Sequence, residues 1–218
     1  MGKVFLFDMD GVIVDSNPLH REAWMKFNAL HGLQTTEAMQ QRMYGKRNDQ
    51  IVQDFFGGGL NAEQVFEYGA AKEAIYREMV GPLLPGALVP GVREFLERHR
   101  NVPAGCATNA ERANVEIVLR LGGIAEFFKV VVDGHQVSRP KPFPDVYLRA
   151  AELLGAAPED CLVFEDSHAG VEAGLAAGMQ VVALRTTHPE FQGVSLAVND
   201  FRAPELEEFV TAFLALQK

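Results

Sequence analysis

Val4-Phe5-Leu6-Phe7-Asp8-Met9-Asp10-Gly11 is the stretch that decides the fold. A short apolar run ends in two carboxylates two residues apart, followed by a glycine. In a buried strand alternate side chains share a face, so Asp8 and Asp10 converge where the strand emerges. Two acids there are costly to desolvate unless a cation or a proton is shared between them. The carboxyl end of a parallel strand is also where open α/β sheets bind ligands. The competing reading is an aspartate pair that merely caps the next helix.

Further along, residues 102–108, 129–133, 161–165 and 180–184 repeat the pattern of the first run, residues 3–7: short, apolar and closed by polar or glycine residues. They read as buried parallel strands, with 196–198 a final short one. Segments of helical period separate most of them, at 93–99, 112–121, 144–154 and 169–177, and 204–216 closes the chain. Strand–helix alternation implies right-handed βαβ units with helices on both faces of the sheet. The expected class is α/β, a Rossmann-like parallel sheet. The rhythm breaks once. Residues 17 to 80 read as successive helices, 19–31, 36–43, 48–56 and 62–80, with Gly57-Gly58-Gly59 between the last two. The expectation is a core of residues 1–16 and 83–218 carrying an inserted α-helical cap, 17–82, with chain crossings near 15–18 and 81–85 acting as its hinge.

A chain of 218 residues with 48% hydrophobic content can bury a sizeable core. It carries 20 basic against 29 acidic residues, a net charge of −9, and no basic block. That balance argues against nucleic acid or an anionic membrane as partner, but not against a small anionic substrate. Cys106 and Cys161 both lie in apolar runs, which suits buried, reduced thiols and no disulfide framework. The chain enters a strand within three residues and has no apolar run near the roughly 18 residues of a membrane span. A monomer in the cytoplasm is expected.

Three more polar signals fall at strand ends. Thr108-Asn109-Ala110 offers a hydroxyl beside free N–H groups at a helix start, which suits an anion. In Arg139-Pro140-Lys141-Pro142 the flanking prolines restrict the backbone that carries Lys141. Glu165-Asp166 ends an apolar strand, with Gly170 in the helix that follows. Hard oxygen ligands and one anchoring ammonium suggest Mg²⁺ and a phosphoryl group. No paired Cys or His spacing supports zinc, and no Walker loop, GxGxxG or GxSxG supports ATP, NAD or a serine esterase.

In this order the motifs resemble those of the haloacid dehalogenase-like superfamily of phosphotransferases: Asp8-Met9-Asp10-Gly11, then Thr108, then Lys141, then Glu165-Asp166. The resemblance spans the whole chain. The insertion, and Pro18-Leu19-His20-Arg21-Glu22-Ala23-Trp24, look like the subgroup of β-phosphoglucomutase and small sugar-phosphate phosphatases. The resemblance implies catalysis by Asp8, Asp10, Thr108 and Lys141. Asp8 would be the nucleophile that forms an aspartyl-phosphate, and Asp10 the general acid and base. Thr108 and Lys141 would hold phosphoryl oxygens. Mg²⁺ would sit on Asp8, Asp10 through its backbone carbonyl, and Asp166, with Glu165 binding through water or supporting the others.

Phosphatase and mutase share these motifs, so the helical insertion must separate them. His20 and Lys72 resemble the mutase pattern. Asn48 falls where mutases place an arginine for the far phosphate, with Arg47 beside it, and Glu111 falls where they have lysine. An acid at that position repels a second phosphate, which favours hydrolysis of a small phosphomonoester. The expected substrate-binding residues are His20, Arg47, Lys72 and Asn109. A mutase is the alternative, and a non-catalytic binding module on the same fold the remote one.

Overall fold

The computed structural model describes residues 2–216. Six strands form one parallel sheet: β1 (Val4–Phe7), β2 (Ala104–Ala107), β3 (Phe128–Val132), β4 (Cys161–Glu165), β5 (Gln180–Leu184) and β6 (Leu196–Val198). Their spatial order is β3-β2-β1-β4-β5-β6. The chain winds outward to β3, then returns past β1 to build the other half. The sheet therefore reverses its winding at β1, and the carboxyl end of that strand opens into the crevice such a reversal creates.

Nine helices accompany the sheet among the described residues: α1 (Asn17–Leu30), α2 (Glu37–Gln41), α3 (Asn48–Phe56), α4 (Ala62–Val80), α5 (Val92–Arg98), α6 (Arg112–Leu121), α7 (Asp145–Leu154), α8 (His168–Ala176) and α9 (Pro204–Ala215). Several start where sequence chemistry says they should. Thr36 caps α2, Asn61 closes a capping box with Gln64 at the head of α4, and Ser167 Oγ accepts the Gly170 N–H at 3.0 Å to open α8. No helix among the described residues is long and apolar enough to cross a membrane.

Period-two alternation decides what each strand face meets. Phe5 and Phe7 of β1 join Leu162 and Phe164 of β4 on the face that packs Phe95 of α5, Val115 of α6 and Val210 of α9. Val4 and Leu6 join Cys161 and Val163 on the opposite face, against Val146 and Ala150 of α7 and Ala173 of α8. The Phe7 and Phe164 rings stack at 4.6 Å directly beneath the strand ends that carry acids. Both strands are thus anchored just before they emerge, and Asp8 N–H donates to the Phe164 carbonyl at 3.0 Å.

Helices α1–α4 have an apolar cluster of their own, built on Trp24, Phe27, Ile51, Val52 and Phe55. The chain leaves β1 and returns to α5 along adjacent paths. Asp15 N–H donates to the Ala87 carbonyl at 2.8 Å, and Val89 N–H to the Ile13 carbonyl at 3.0 Å. Val14 and Leu88 form an antiparallel bridge between the two crossings, a few residues beyond the 81–85 named from sequence.

Element boundaries shift by a few residues from the expectations. The strand expected over 102–108 spans Ala104–Ala107, because Pro103 cannot donate to the ladder. The helix expected over 36–43 shortens to Glu37–Gln41, and α1 begins at Asn17, two residues early, with Pro18 in its first turn.

Candidate active site

The carboxyl ends of β1, β2 and β4 bring four acids and a hydroxyl into one crevice. Lys141 reaches it from the loop between β3 and α7. Its ammonium is buried and donates to Asp8 Oδ1 at 2.7 Å and Glu165 Oε1 at 2.6 Å. Glu165 has no oxygen to spare. Oε1 also accepts the Tyr147 hydroxyl at 2.8 Å, and Oε2 accepts the N–H groups of Asp166 at 2.8 Å and Ser167 at 3.0 Å. Asp166 points the other way, where Oδ2 accepts from Asn17 at 3.1 Å and from the Thr187 hydroxyl.

Two glycines make this crowding possible. A methyl group on Gly11 would lie 1.9 Å from Asp166 Oδ2, and its φ of +75° already disfavours any other residue. One on Gly170 would lie 1.7 Å from Glu165 Oε1.

The electrostatics of the crevice are lopsided. Burial raises the Asp8 carboxyl, Lys141 opposes, and the charges of Glu165 and Asp10 raise it again, to about 7. Burial, with Glu165 and Asp8, lifts Asp166 well above the carboxylate range. Glu165 is different: burial would raise it, but Lys141 and the hydrogen bonds around it hold it down. Burial disfavours the Lys141 ammonium, yet Asp8 and Glu165 more than compensate and keep it charged. Oxygens of Asp8, Glu165 and Asp166 all lie within 4.8 Å of one another. Three buried carboxylates against one ammonium leave a deficit of positive charge, and an all-oxygen donor set suits a hard divalent cation. The residues fit Mg²⁺.

Asp10 lies beside this cluster in a different setting. Its Oδ1 accepts the Ser16 hydroxyl at 2.5 Å and faces His20 Nε2 at 3.1 Å. Burial would raise this carboxyl, but His20 and Ser16 together hold it below its ordinary value. The two aspartates of the first motif are therefore driven apart, Asp8 up and Asp10 down. His20 lies flat on Tyr76 at 3.8 Å, and its Nδ1 meets the ammonium of Lys72 at 2.7 Å. Lys72 is buried rather than a surface charge, because Glu73 Oε1 accepts from it at 2.8 Å.

A cavity of about 80 Å³ opens onto Asp8, Asp10, His20, Lys72, Thr108 and Lys141. Thr108 is buried and its Oγ1 accepts the Ala110 N–H at 3.1 Å. Asn109 also lines the cavity and bridges two segments, donating to the Gly45 carbonyl at 2.9 Å and accepting the Lys141 N–H at 3.2 Å. Arg47 does not line this cavity: it sits at the head of α3, lines a neighbouring groove and pairs with Asp49 at 3.4 Å. Its neighbour Lys46 lines the cavity, but its ammonium pairs with Asp54 at 2.6 Å. Asn48 donates to Glu73 at 2.8 Å and to Glu111 at 3.4 Å. Both thiols are inert: burial and Asp8 raise Cys106, and burial and Asp160 push Cys161 up to about 12.

Sequence reading missed several members of the site. Thr186 and Thr187 follow β5 at its carboxyl end, a position that the other strand ends had already marked as informative. Asn17, Tyr147, Glu73 and Asn114 carry no local signal. His168 and His188, which showed no partner in sequence, stack on each other at 4.2 Å near the head of α8.

The model of the haloacid dehalogenase-like hydrolases matches residues 3–178. The chain is 35% identical to hexitol phosphatase A of Escherichia coli K12 over 186 residues, 84% of this chain and 82% of that protein. It is 31% identical to β-phosphoglucomutase of Bacillus subtilis 168 over 195 residues, 86% of this chain and 85% of that one. Among solved structures, β-phosphoglucomutase from Clostridium difficile superposes with a TM-score of 0.87, covering 98% of this chain and 97% of that one at 22% identity, a likeness of fold.

Proposed function

The chain belongs to the haloacid dehalogenase-like hydrolases, and from that premise we propose that it is a Mg²⁺-dependent phosphatase of small phosphomonoesters, with sugar and polyol phosphates as the substrate class. The observation that carries the proposal is the pairing of an under-neutralised carboxylate cluster at Asp8, Glu165 and Asp166 with a separate, hydrogen-bonded Asp10. In this reading Asp8 and Asp166, with the Asp10 backbone carbonyl, hold the cation, and Glu165 buttresses Lys141 and the Asp166 backbone. When bound, the cation neutralises charge on the cluster and on the phosphoryl oxygens.

The protein residues then divide the work. Asp8 attacks phosphorus in line and takes the phosphoryl group as an aspartyl-phosphate. Lys141, held by Glu165, and Thr108, at the end of β2, bind the transferring oxygens. Asp10, a carboxylate where it accepts from Ser16 and His20, takes a proton from the water that releases phosphate and gives that proton to the alcohol departing in the next turnover. Residues 17–82 form a cap over the core of 1–16 and 83–218, and its opening admits a substrate larger than the cavity of about 80 Å³. His20, Lys72 and Asn109 contact the bound substrate or the groups that hold it.

Hydrolysis is favoured over transfer back to a sugar by the far end of the cavity. Asn48, which lines it, donates to Glu73 and to Glu111 of the neighbouring groove, so acids stand where a second phosphate would need a cation. The mutase reading retains one point in its favour, the contact of His20 with both Asp10 and Lys72. Phosphorus NMR with Mg²⁺ and a panel of sugar and polyol phosphates tests the proposal, with β-glucose 1-phosphate primed by traces of the bisphosphate in the panel. Growth of inorganic phosphate, absent with Asp8→Asn, is expected. A new ester signal without phosphate release would make the protein a mutase.

A further inference from the structure

We infer that Glu73 and Asn114 are positioning residues for Asp10, acting through Lys72 and His20. The inference rests on the reading of Asp10 as the acid–base group. Glu73, on α4, is a buried carboxylate outside every recognised motif, and both of its oxygens are hydrogen-bonded. Oε1 accepts from Lys72 Nζ and Asn48 Nδ2, each at 2.8 Å, and Oε2 accepts from Asn114 Nδ2 at 2.6 Å. Asn114 belongs to α6, and its Oδ1 accepts from Arg77 Nη1 at 3.1 Å. Glu73 and Arg77 are four residues apart on one face of α4, so α4 docks on α6 by gripping both ends of a single buried amide. The donor at one end and the acceptor at the other fix which way that amide faces.

The consequence reaches the end of β1. Lys72 donates to His20 Nδ1 at 2.7 Å, and an ammonium has no lone pair with which to accept. Nδ1 is therefore the unprotonated ring nitrogen, and the hydrogen sits on Nε2, aimed at Asp10 Oδ1 at 3.1 Å. The Tyr76 ring, parallel to His20 at 3.8 Å, holds the imidazole plane. The opposite tautomer would set a lone pair against the Asp10 carboxylate. What prevents it is the position of the Lys72 ammonium, which Glu73 fixes and Asn114 braces. Through four hydrogen bonds a residue of α6 thus sets the donor that orients Asp10.

Asn114→Leu removes both amide contacts while keeping the branched shape of the side chain, and Glu73→Gln removes the charge that holds Lys72. Each is compared with wild type in two measurements in the presence of Mg²⁺. The first is the nitrogen-15 spectrum of the His20 ring at one fixed pH, which reads the tautomer without reference to activity. The second is the single-turnover rate with an alkyl phosphate and with p-nitrophenyl phosphate, whose phenolate departs without acid assistance. The expected result is a His20 ring that no longer holds the Nε2–H form alone. It is accompanied by a loss of about tenfold or more on the alkyl phosphate and of less than about threefold on p-nitrophenyl phosphate, since general acid catalysis contributes about 10²–10⁴-fold. A His20 ring unchanged in both variants, or equal losses on the two substrates, would overturn the inference. Should Asn114→Leu fail to fold, Glu73→Gln decides it. A wild-type protein inert on both substrates would sink the reading of the site instead, and the tautomer result alone would then support or overturn the positioning of His20.

Discussion

Gly170→Ala places a single methyl group against Glu165, the residue that holds the buried Lys141 ammonium. The new carbon would lie 1.7 Å from Glu165 Oε1, 1.9 Å from Cδ and 2.3 Å from Oε2. Carbon and oxygen need about 3 Å or more, so the carboxylate must retreat by more than about 1 Å. It cannot do so intact. Oε1 is fixed by Lys141 at 2.6 Å and Tyr147 at 2.8 Å, and Oε2 by two backbone N–H groups at 2.8 and 3.0 Å. Overpacking of this kind costs about 1–3 kcal/mol. Weakening one or two hydrogen bonds to a buried charge adds about 1.5–3 kcal/mol for each. Alanine in place of glycine inside a helix returns about 1 kcal/mol. The net expectation is a loss of about 1.5–8 kcal/mol, with activity reduced as Lys141 loses its anchor. Urea unfolding followed by circular dichroism measures the first, and kcat/KM on the best phosphomonoester the second. Gly58→Ala is the control, since nothing lies within 4 Å of its added carbon. A Gly170→Ala protein within about 0.5 kcal/mol of wild type, with normal kcat/KM, would refute the packing argument.

Three further outcomes follow from the same crevice. Lys141→Met leaves Asp8 and Glu165 buried without their shared cation, so stability falls by about 3–5 kcal/mol in metal-free protein and turnover is lost, as urea unfolding and phosphate release will show. Because burial and neighbouring acids hold the metal-free Asp8 carboxyl up to about 7, against an ordinary 3.8, this group binds a proton in the native but not the unfolded chain between those values. It therefore stabilises the metal-free fold less as pH rises through that window, while Mg²⁺ binding releases protons, from Asp8 and from Asp166, whose carboxyl burial also raises, and tightens as pH rises; calorimetry in buffers of different ionisation enthalpy reads those protons. Calcium binds in place of Mg²⁺ yet inhibits, because its larger and looser coordination misaligns the in-line attack; full turnover in calcium or in chelator would discredit the metal assignment.

The fold and the centre of the site were legible for the same reason. Val4, Leu6 and Phe5, Phe7 alternate between two apolar faces, and that alternation delivers Asp8 to the strand end whatever the rest of the chain does. The same holds for Thr108 after β2 and for Glu165 as the last residue of β4. These are local facts, fixed within one strand and its turn. The periphery depends on how helices dock. Glu73 meets Asn114 forty-one positions away, and Asn17 meets Asp166 one hundred and forty-nine away, so neither partner leaves a trace near the other in sequence. Lys72 was legible only through its resemblance to the mutase pattern, because nothing in its local sequence shows that α4 docks and buries it beside His20. Arg47 failed to reach the cavity for a backbone reason: as the extended residue at the head of α3, with φ −77° and ψ 155°, it pairs with Asp49. A sequence pattern locates such a residue to within one position, and at a helix start one position changes the direction of the side chain.

The account stands on Asp8 as the group that accepts the phosphoryl. The most direct test mixes protein and Mg²⁺ with a phosphorus-32-labelled sugar phosphate, quenches in acid within the first turnover, and maps the label by digestion. The label is expected on the peptide containing Asp8, stable in acid, discharged by hydroxylamine, and absent from Asp8→Asn. Phosphate release at the wild-type rate by Asp8→Asn, or label on any other residue, would contradict it.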